Sequence, residues 1–196
     1  PLRSLVRQLR EGALTGELLE RSRRSDRLLM RGAGRNCRAL VTSAMAQRDG
    51  SPLLVVVPTL EEAGRWTALL ELMGWSMASL YPTSEGSPYE PFDPTSEIIW
   101  GQLQILSDLL NDPEATGRAI VATERCLQPH LPPPQSLKNT CRVLKRGDEV
   151  DLESLSETLA KLGYERGSTI DQEGTWSRRG AIGDIFSVSS ELPVML

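Results

Sequence analysis

The sequence predicts an α/β fold in which helices flank a parallel sheet, followed by a small α+β unit. Three observations carry this reading. Leu53-Leu-Val-Val-Val57 is an unbroken apolar run ended by Pro58, as expected for a strand buried on both faces of a parallel sheet. Further short apolar runs alternate with segments of helical periodicity, which implies βαβ connections. A proline-rich stretch, His130-Leu-Pro132-Pro133-Pro134-Gln135, then divides the chain, because it continues neither a helix nor a central strand. The expected domains are therefore 1–130 and 131–196.

In chain order, Leu5, Leu9, Leu14, Leu18 and Leu19 recur at helical spacing among arginines, giving one or two amphipathic helices over 3–24, broken near Gly12 to Gly16. Arg27-Leu-Leu-Met-Arg31 reads as a short strand leading into Gly32-Ala-Gly34 and a helix from about Asn36 to Gln47. After the strand at 53–57, Thr59 and Glu62 form a capping box for a helix carrying Ala63, Trp66, Leu69, Leu70 and Met73, which Gly74 ends. Ser76–Tyr81 and Ala119–Ala122 are two more strands, with a helix from about Thr95 to Leu110 between them. In the second unit, Cys141–Lys145 reads as a strand and Asp148–Gly163 as a helix, with Leu152, Leu155, Leu159 and Leu162 on one face. Tyr164–Ile170 is another strand and Glu173-Gly174 a tight turn. Trp176–Arg178 and Ala181–Val188 form an antiparallel hairpin with Gly180 at a bulge or kink.

Composition bounds the function. The chain has 196 residues, is 39% hydrophobic and 24% charged, and carries a net charge of −4, which fits a globular protein and excludes collagen and disorder. No run nears the roughly 18 apolar residues of a membrane helix and the first thirty residues lack a signal peptide's apolar core, so a cytoplasmic location away from membranes is expected. Cys37, Cys126 and Cys141 are odd in number and widely spaced, and read as buried thiols, neither a disulfide framework nor a zinc site. Charge is segregated: residues 1–38 hold ten arginines against four acids, and residues 49–114 hold eleven acids against Arg65. An acidic chain with one local basic stretch lacks the continuous basic face of a primary nucleic-acid binder.

Candidate chemistry is sparse. The loop Gly32-Ala-Gly34 before a helix stands where a phosphate-binding loop would, but Arg35-Asn36 replaces the Lys-Ser/Thr pair that reaches the phosphates and Mg²⁺. It reads as a degenerate loop without a cofactor. His130, the sole histidine, falls in the proline-rich stretch and reads as solvated, not catalytic. Glu85, Glu90, Asp93 and Glu97 interleave with Pro82, Pro88, Pro91 and Pro94 in a solvated loop anchored by Tyr89 and Phe92, with no convergent metal cage. Trp66 and Trp100 sit at core positions of helices. What remains is the C-terminal unit, where Arg166, Arg178-Arg179-Gly180, Ile182, Asp184 and Phe186 gather. Strand alternation puts Ile182, Asp184 and Phe186 on one face and Ala181, Gly183 and Ile185 on the other. Arginines and an aromatic beside a tight turn are the composition of a protein-binding hot spot, although an ordinary solvated hairpin has the same residues.

Several segments together resemble the N-terminal, UvrB-like region of the Mfd family of bacterial transcription-repair coupling factors. They are Gly32-Ala-Gly34, Leu54-Val-Val-Val-Pro58, Ser87-Pro-Tyr89-Glu-Pro-Phe92-Asp-Pro94, Gly163-Tyr164-Glu-Arg166, Glu173-Gly174-Thr-Trp176-Ser-Arg-Arg179-Gly180-Ala-Ile-Gly-Asp184-Ile-Phe186, and Glu191-Leu-Pro193. The C-terminal block carries most of the specificity. The resemblance implies a helicase-related α/β domain without an ATP site, and a small inserted domain, incomplete at its C-terminal end, that binds UvrA for nucleotide-excision repair. By motif position the resemblance assigns Arg166, Arg179 and Phe186 as UvrA contacts, with Arg178 beside the motif; Asp184 joins them from its place on the Phe186 face. It implies a module without catalysis, metal or cofactor. RNA polymerase binding and DNA translocation belong, in that family, to other regions. A UvrB-type helicase or NTPase and a DNA-binding module are the alternatives.

Overall fold

A computed structural model describes residues 1–25, 27–83, 96–127, 131, 133–140, 144–187 and 192–196. The expectations for Ser87–Pro94, Glu85, His130 and Cys141, and for the side chains of Glu97 and Trp100, lie outside the described residues. The chain forms two compact units, Pro1–Glu90 with Asp112–His130, and Pro91–Asn111 with Leu131–Leu196.

The first unit opens with α1 (Leu2–Glu11) and α2 (Ala13–Arg24), broken at Gly12. Their buried stripe differs from the leucine pattern. Val6 is 1% exposed, with Leu2 and Leu9 beside it, whereas Leu5 and Leu14 face solvent. The Arg48 guanidinium donates to the carbonyls of Arg10 and Gly12 at 3.1 Å each, satisfying acceptors that a helix end leaves open. Arg48 belongs to α3 (Arg35–Asp49), which Gly50 ends in the left-handed conformation, φ +74°.

The core sheet has three parallel strands, β1 (Leu53–Val57), β2 (Met77–Leu80) and β3 (Arg118–Thr123), in the order β1-β3-β2. Between β1 and β2 runs α4 (Leu60–Leu72); its Thr59 cap accepts from the Glu62 amide at 3.2 Å. Leu53, Val55, Val57, Ala78, Leu80, Ala119 and Val121 share the face packed with Val6, Ala39, Ala44, Ala63, Trp66 and Leu70. Within this core the Trp75 indole donates to Ser43 at 2.9 Å, and Gln47 donates to the Met73 carbonyl at 3.3 Å, so α3 and the end of α4 are tied by polar as well as apolar contacts.

Three expectations here are corrected. Residues 27–31 form no strand: Leu29 is 77% exposed and pairs with nothing in the sheet, and a segment bounded by two arginines has no apolar face to bury on both sides. Among the described residues β1 is an edge strand whose Leu54 and Val56 remain exposed, so only its other face is buried. Cys37 is exposed, because the core face of α3 is set by Ala39, Ser43, Ala44 and Ala46; Cys126 is buried.

The second unit contains α5 (Ser96–Asn111), α6 (Pro134–Thr140), α7 (Leu152–Lys161) and a four-stranded sheet of β4 (Glu165–Arg166), β5 (Thr175–Arg179), β6 (Ile182–Phe186) and β7 (Val194–Met195), ordered β4-β5-β6-β7. The proline-rich stretch does enter a helix: Pro134 opens α6, where its missing N–H costs nothing. Leu144 and Lys145 are not strand. α7 begins four residues later than expected because Asp151 accepts from the Glu153 and Ser154 amides and caps it there. The expected strand over 164–170 stops at Arg166. A Cβ on Gly167 would stand 2.8 Å from the Thr169 carbonyl oxygen, so glycine lets the chain curl back. Gly180 lies in the hairpin turn, not in a bulge: Arg179 pairs with Ile182, leaving Gly180-Ala181 as a two-residue turn with φ +66° at the glycine.

Candidate functional site

The C-terminal sheet is a scaffold for charged side chains, and α7 holds it. Leu155 and Leu159 of α7 and Trp176 of β5 are each 6% exposed and form one cluster. Tyr164, Ile185 and Leu196 pack around it. Gly183 permits this approach, since a Cβ there would lie 3.2 Å from the Leu152 methyl. The parallel β4–β5 contact is closed by Glu165 donating to Gly174 and Gly167 donating to Trp176, both at 2.9 Å.

Pleat and register then assign the faces. Arg166, Trp176, Ile185 and Val194 stand side by side across the sheet. They share the α7 face with Arg178 and Gly183. Glu165, Thr175 and Phe186 form a row on the opposite, outer face, as do Ser177, Asp184 and Met195, and Arg179 with Ile182. The five expected contact residues thus divide: Arg179, Asp184 and Phe186 come together outside, and Arg166 and Arg178 project from the other side.

The charges on these strands do not consume one another. Arg179 donates to the Ser168 carbonyl at 3.3 Å and Arg178 to the Gly180 carbonyl at 3.1 Å. The Arg166 guanidinium lies 5.3 Å from the centroid of the Trp176 ring, within cation–π range. Among the described residues none of the three forms a salt bridge, and neither does Asp184, one strand pair away from Arg179. Each arginine is oriented by a neutral group and keeps donors for another acceptor. The surrounding outer face is partly apolar: Ile182 is 48% and Met195 73% exposed, and Phe186 is half-buried.

Sequence reasoning missed Met195 because a two-residue strand carries no period to read. It also missed the role of Trp176, which supports Arg166 with one ring face while buried in the cluster. The Trp176 Nε1 and Ser177 Oγ are buried without a hydrogen-bond partner among the described residues.

The degenerate loop looks different. Arg35, the first residue of α3, donates through Nη1 to Glu62 Oε2 at 2.9 Å. The arginine at the position where a phosphate-binding loop would carry its lysine is therefore engaged by a carboxylate of α4. Gly34 caps α3 without a side-chain bond. Among the described residues no group of three or more His, Cys, Asp or Glu side chains converges as a metal site, and no helix is long and apolar enough to cross a membrane.

Residues 143–196 match the family model described as UvrB interaction domain. The chain is 28% identical over 158 residues to the transcription-repair-coupling factor of Haemophilus influenzae, covering 81% of this chain and 14% of that protein. It is 27% identical over 169 residues to the factor of Bacillus subtilis, covering 86% and 14%. It is 30% identical over 164 residues to that of Mycobacterium tuberculosis, covering 81% and 13%. The chain spans about one seventh of the length of these relatives.

Proposed function

We propose that this chain, which belongs to the UvrB-homologous N-terminal region of the transcription-repair-coupling factors, is a non-catalytic docking module that recruits UvrA to stalled transcription complexes for nucleotide-excision repair. One observation carries the reading: the outer face of the β4–β7 sheet, inside the segment that matches a UvrB interaction domain, presents Arg179, Asp184 and Phe186 with no ion pair among them.

The mechanism is recognition alone. Arg179 offers a guanidinium fork to carboxylates of the partner. Phe186 and Ile182 supply apolar area at the centre of the contact, and the closing interface excludes water around the charges. Arg166 and Arg178 stand at the margin, on the edge strand and beside the hairpin tip. Recruitment then needs no bond made or broken. Loss of the Lys-Ser/Thr pair and the engagement of Arg35 by Glu62 support the absence of nucleotide chemistry. In this reading, contacts to RNA polymerase and DNA lie in other regions of a longer protein, and the module works in the cytoplasm.

The test is a calorimetric titration of the chain into UvrA beside Arg179→Ala and Phe186→Ala variants of intact fold. The reading expects saturable binding weakened by about 1–3 kcal/mol in each variant. A folded chain that does not bind UvrA refutes it.

A further inference from the structure

Resting on the proposed docking to UvrA, we infer that the partner's surface is of mixed charge and places a basic side chain, arginine or lysine, on Asp184. Asp184 occupies the middle of the outer face. It is half-buried, flanked along β6 by Ile182 and Phe186 and across the sheet by Ser177 and Met195. Ser177 is 3% exposed, and its hydroxyl has no partner among the described residues. Arg179 stands diagonally across from Asp184, yet its guanidinium is turned to the Ser168 carbonyl.

A carboxylate flanked by Ile182, Phe186 and Met195 keeps its water only while the face is open. A partner that covers Ile182, Phe186 and Met195 strips that water away, and a buried carboxylate without a counter-charge is strongly unfavourable. The cation is then expected from the partner, because Arg179 is turned to the Ser168 carbonyl and Arg166 and Arg178 project from the other face. A surface that answered only the arginines would be acidic throughout and would be repelled at the centre of the face. Asp184 therefore selects for a partner carrying both signs, and against acidic proteins that match the arginines alone.

The experiment titrates UvrA with the wild-type chain, Asp184→Asn, Asp184→Glu, Asp184→Arg, Arg179→Ala and the Arg179→Ala/Asp184→Asn double variant, at two salt concentrations, with each fold checked by circular dichroism. Expected are binding about tenfold weaker and less salt-sensitive for Asp184→Asn, near-retention for Asp184→Glu, and loss of saturable binding for Asp184→Arg. The Arg179 and Asp184 losses are expected to add, because the two side chains meet different groups. Wild-type affinity in Asp184→Asn while Arg179→Ala weakens overturns the inference and leaves the docking reading intact. Non-additive losses overturn it too, by showing that Arg179 itself turns to Asp184 in the complex. No binding by the folded wild type overturns both.

Discussion

Two arginine-bearing turns in this chain have opposite fates. At the start of α3, Arg35 and Glu62 form an ion pair of 2.9 Å, each side chain about one third exposed. At the β5–β6 hairpin, Arg178 and Arg179 reach only backbone carbonyls, and Asp184 is left without a counter-charge among the described residues. The first turn spends its charge on its own fold. The second keeps its charge unpaired among the described residues, and in the proposed reading that charge is answered by UvrA. Unpaired charges of both signs, held within two strands of one another, are what a recognition surface requires, whereas the charge of an internally paired arginine is already answered within the fold.

The largest effect is expected from Trp176→Ala, which removes the centre of the α7 cluster and the ring under Arg166. It is expected to destabilise the second unit by about 3–5 kcal/mol, read from urea unfolding. If the charged face depends on that scaffold, UvrA binding falls with it. Next, Arg179→Ala is expected to lose about 1–3 kcal/mol of UvrA affinity while unfolding stability moves by less than about 0.5 kcal/mol. Gly180→Ala, at φ +66°, is expected to cost about 1 kcal/mol of stability by forcing a side chain into the left-handed region, and to weaken docking only as far as the hairpin tip moves. Arg35→Ala should show the converse of Arg179→Ala: up to about 1 kcal/mol of stability lost, in keeping with a part-exposed ion pair, and UvrA affinity unchanged.

The smallest effect lies in pH. The Ser51 hydroxyl and then Arg23 hold the Asp49 carboxyl below its ordinary value, linking the end of α3 to α2. A carboxyl depressed by folding stabilises the fold above its unfolded pKa, and that contribution is lost as pH falls through the lower folded value. The stability difference between wild type and Asp49→Asn is therefore expected to persist near neutral pH and to shrink as the pH falls below about 4. A difference that grows on acidification contradicts the assignment.

Most helices were legible because apolar spacing, Thr59 and Gly74 mark them locally. β1 was legible as an unbroken apolar run, and β2 and β3 as short, mainly apolar segments between helical ones. Residues 27–31 were misread because a short apolar run records composition and not partners, and only the sheet shows that none pairs with it. The short strands β4 and β7 escaped or were overextended for the same reason: two residues have no period, and Gly167 ends β4 through a close approach invisible in sequence. In the site, alternation along β6 was enough to place Ile182, Asp184 and Phe186 on one face. It could not place Arg166, whose side depends on the parallel register of β4 with β5.

The most direct test of the account measures stability and UvrA affinity together for Arg35→Ala and Arg179→Ala. Arg35→Ala is predicted to lose stability and keep its affinity, and Arg179→Ala to lose affinity and keep its stability. If both variants fail in stability alone, or if Arg35→Ala loses as much affinity as Arg179→Ala, the division between a charge used for folding and a charge reserved for docking is contradicted.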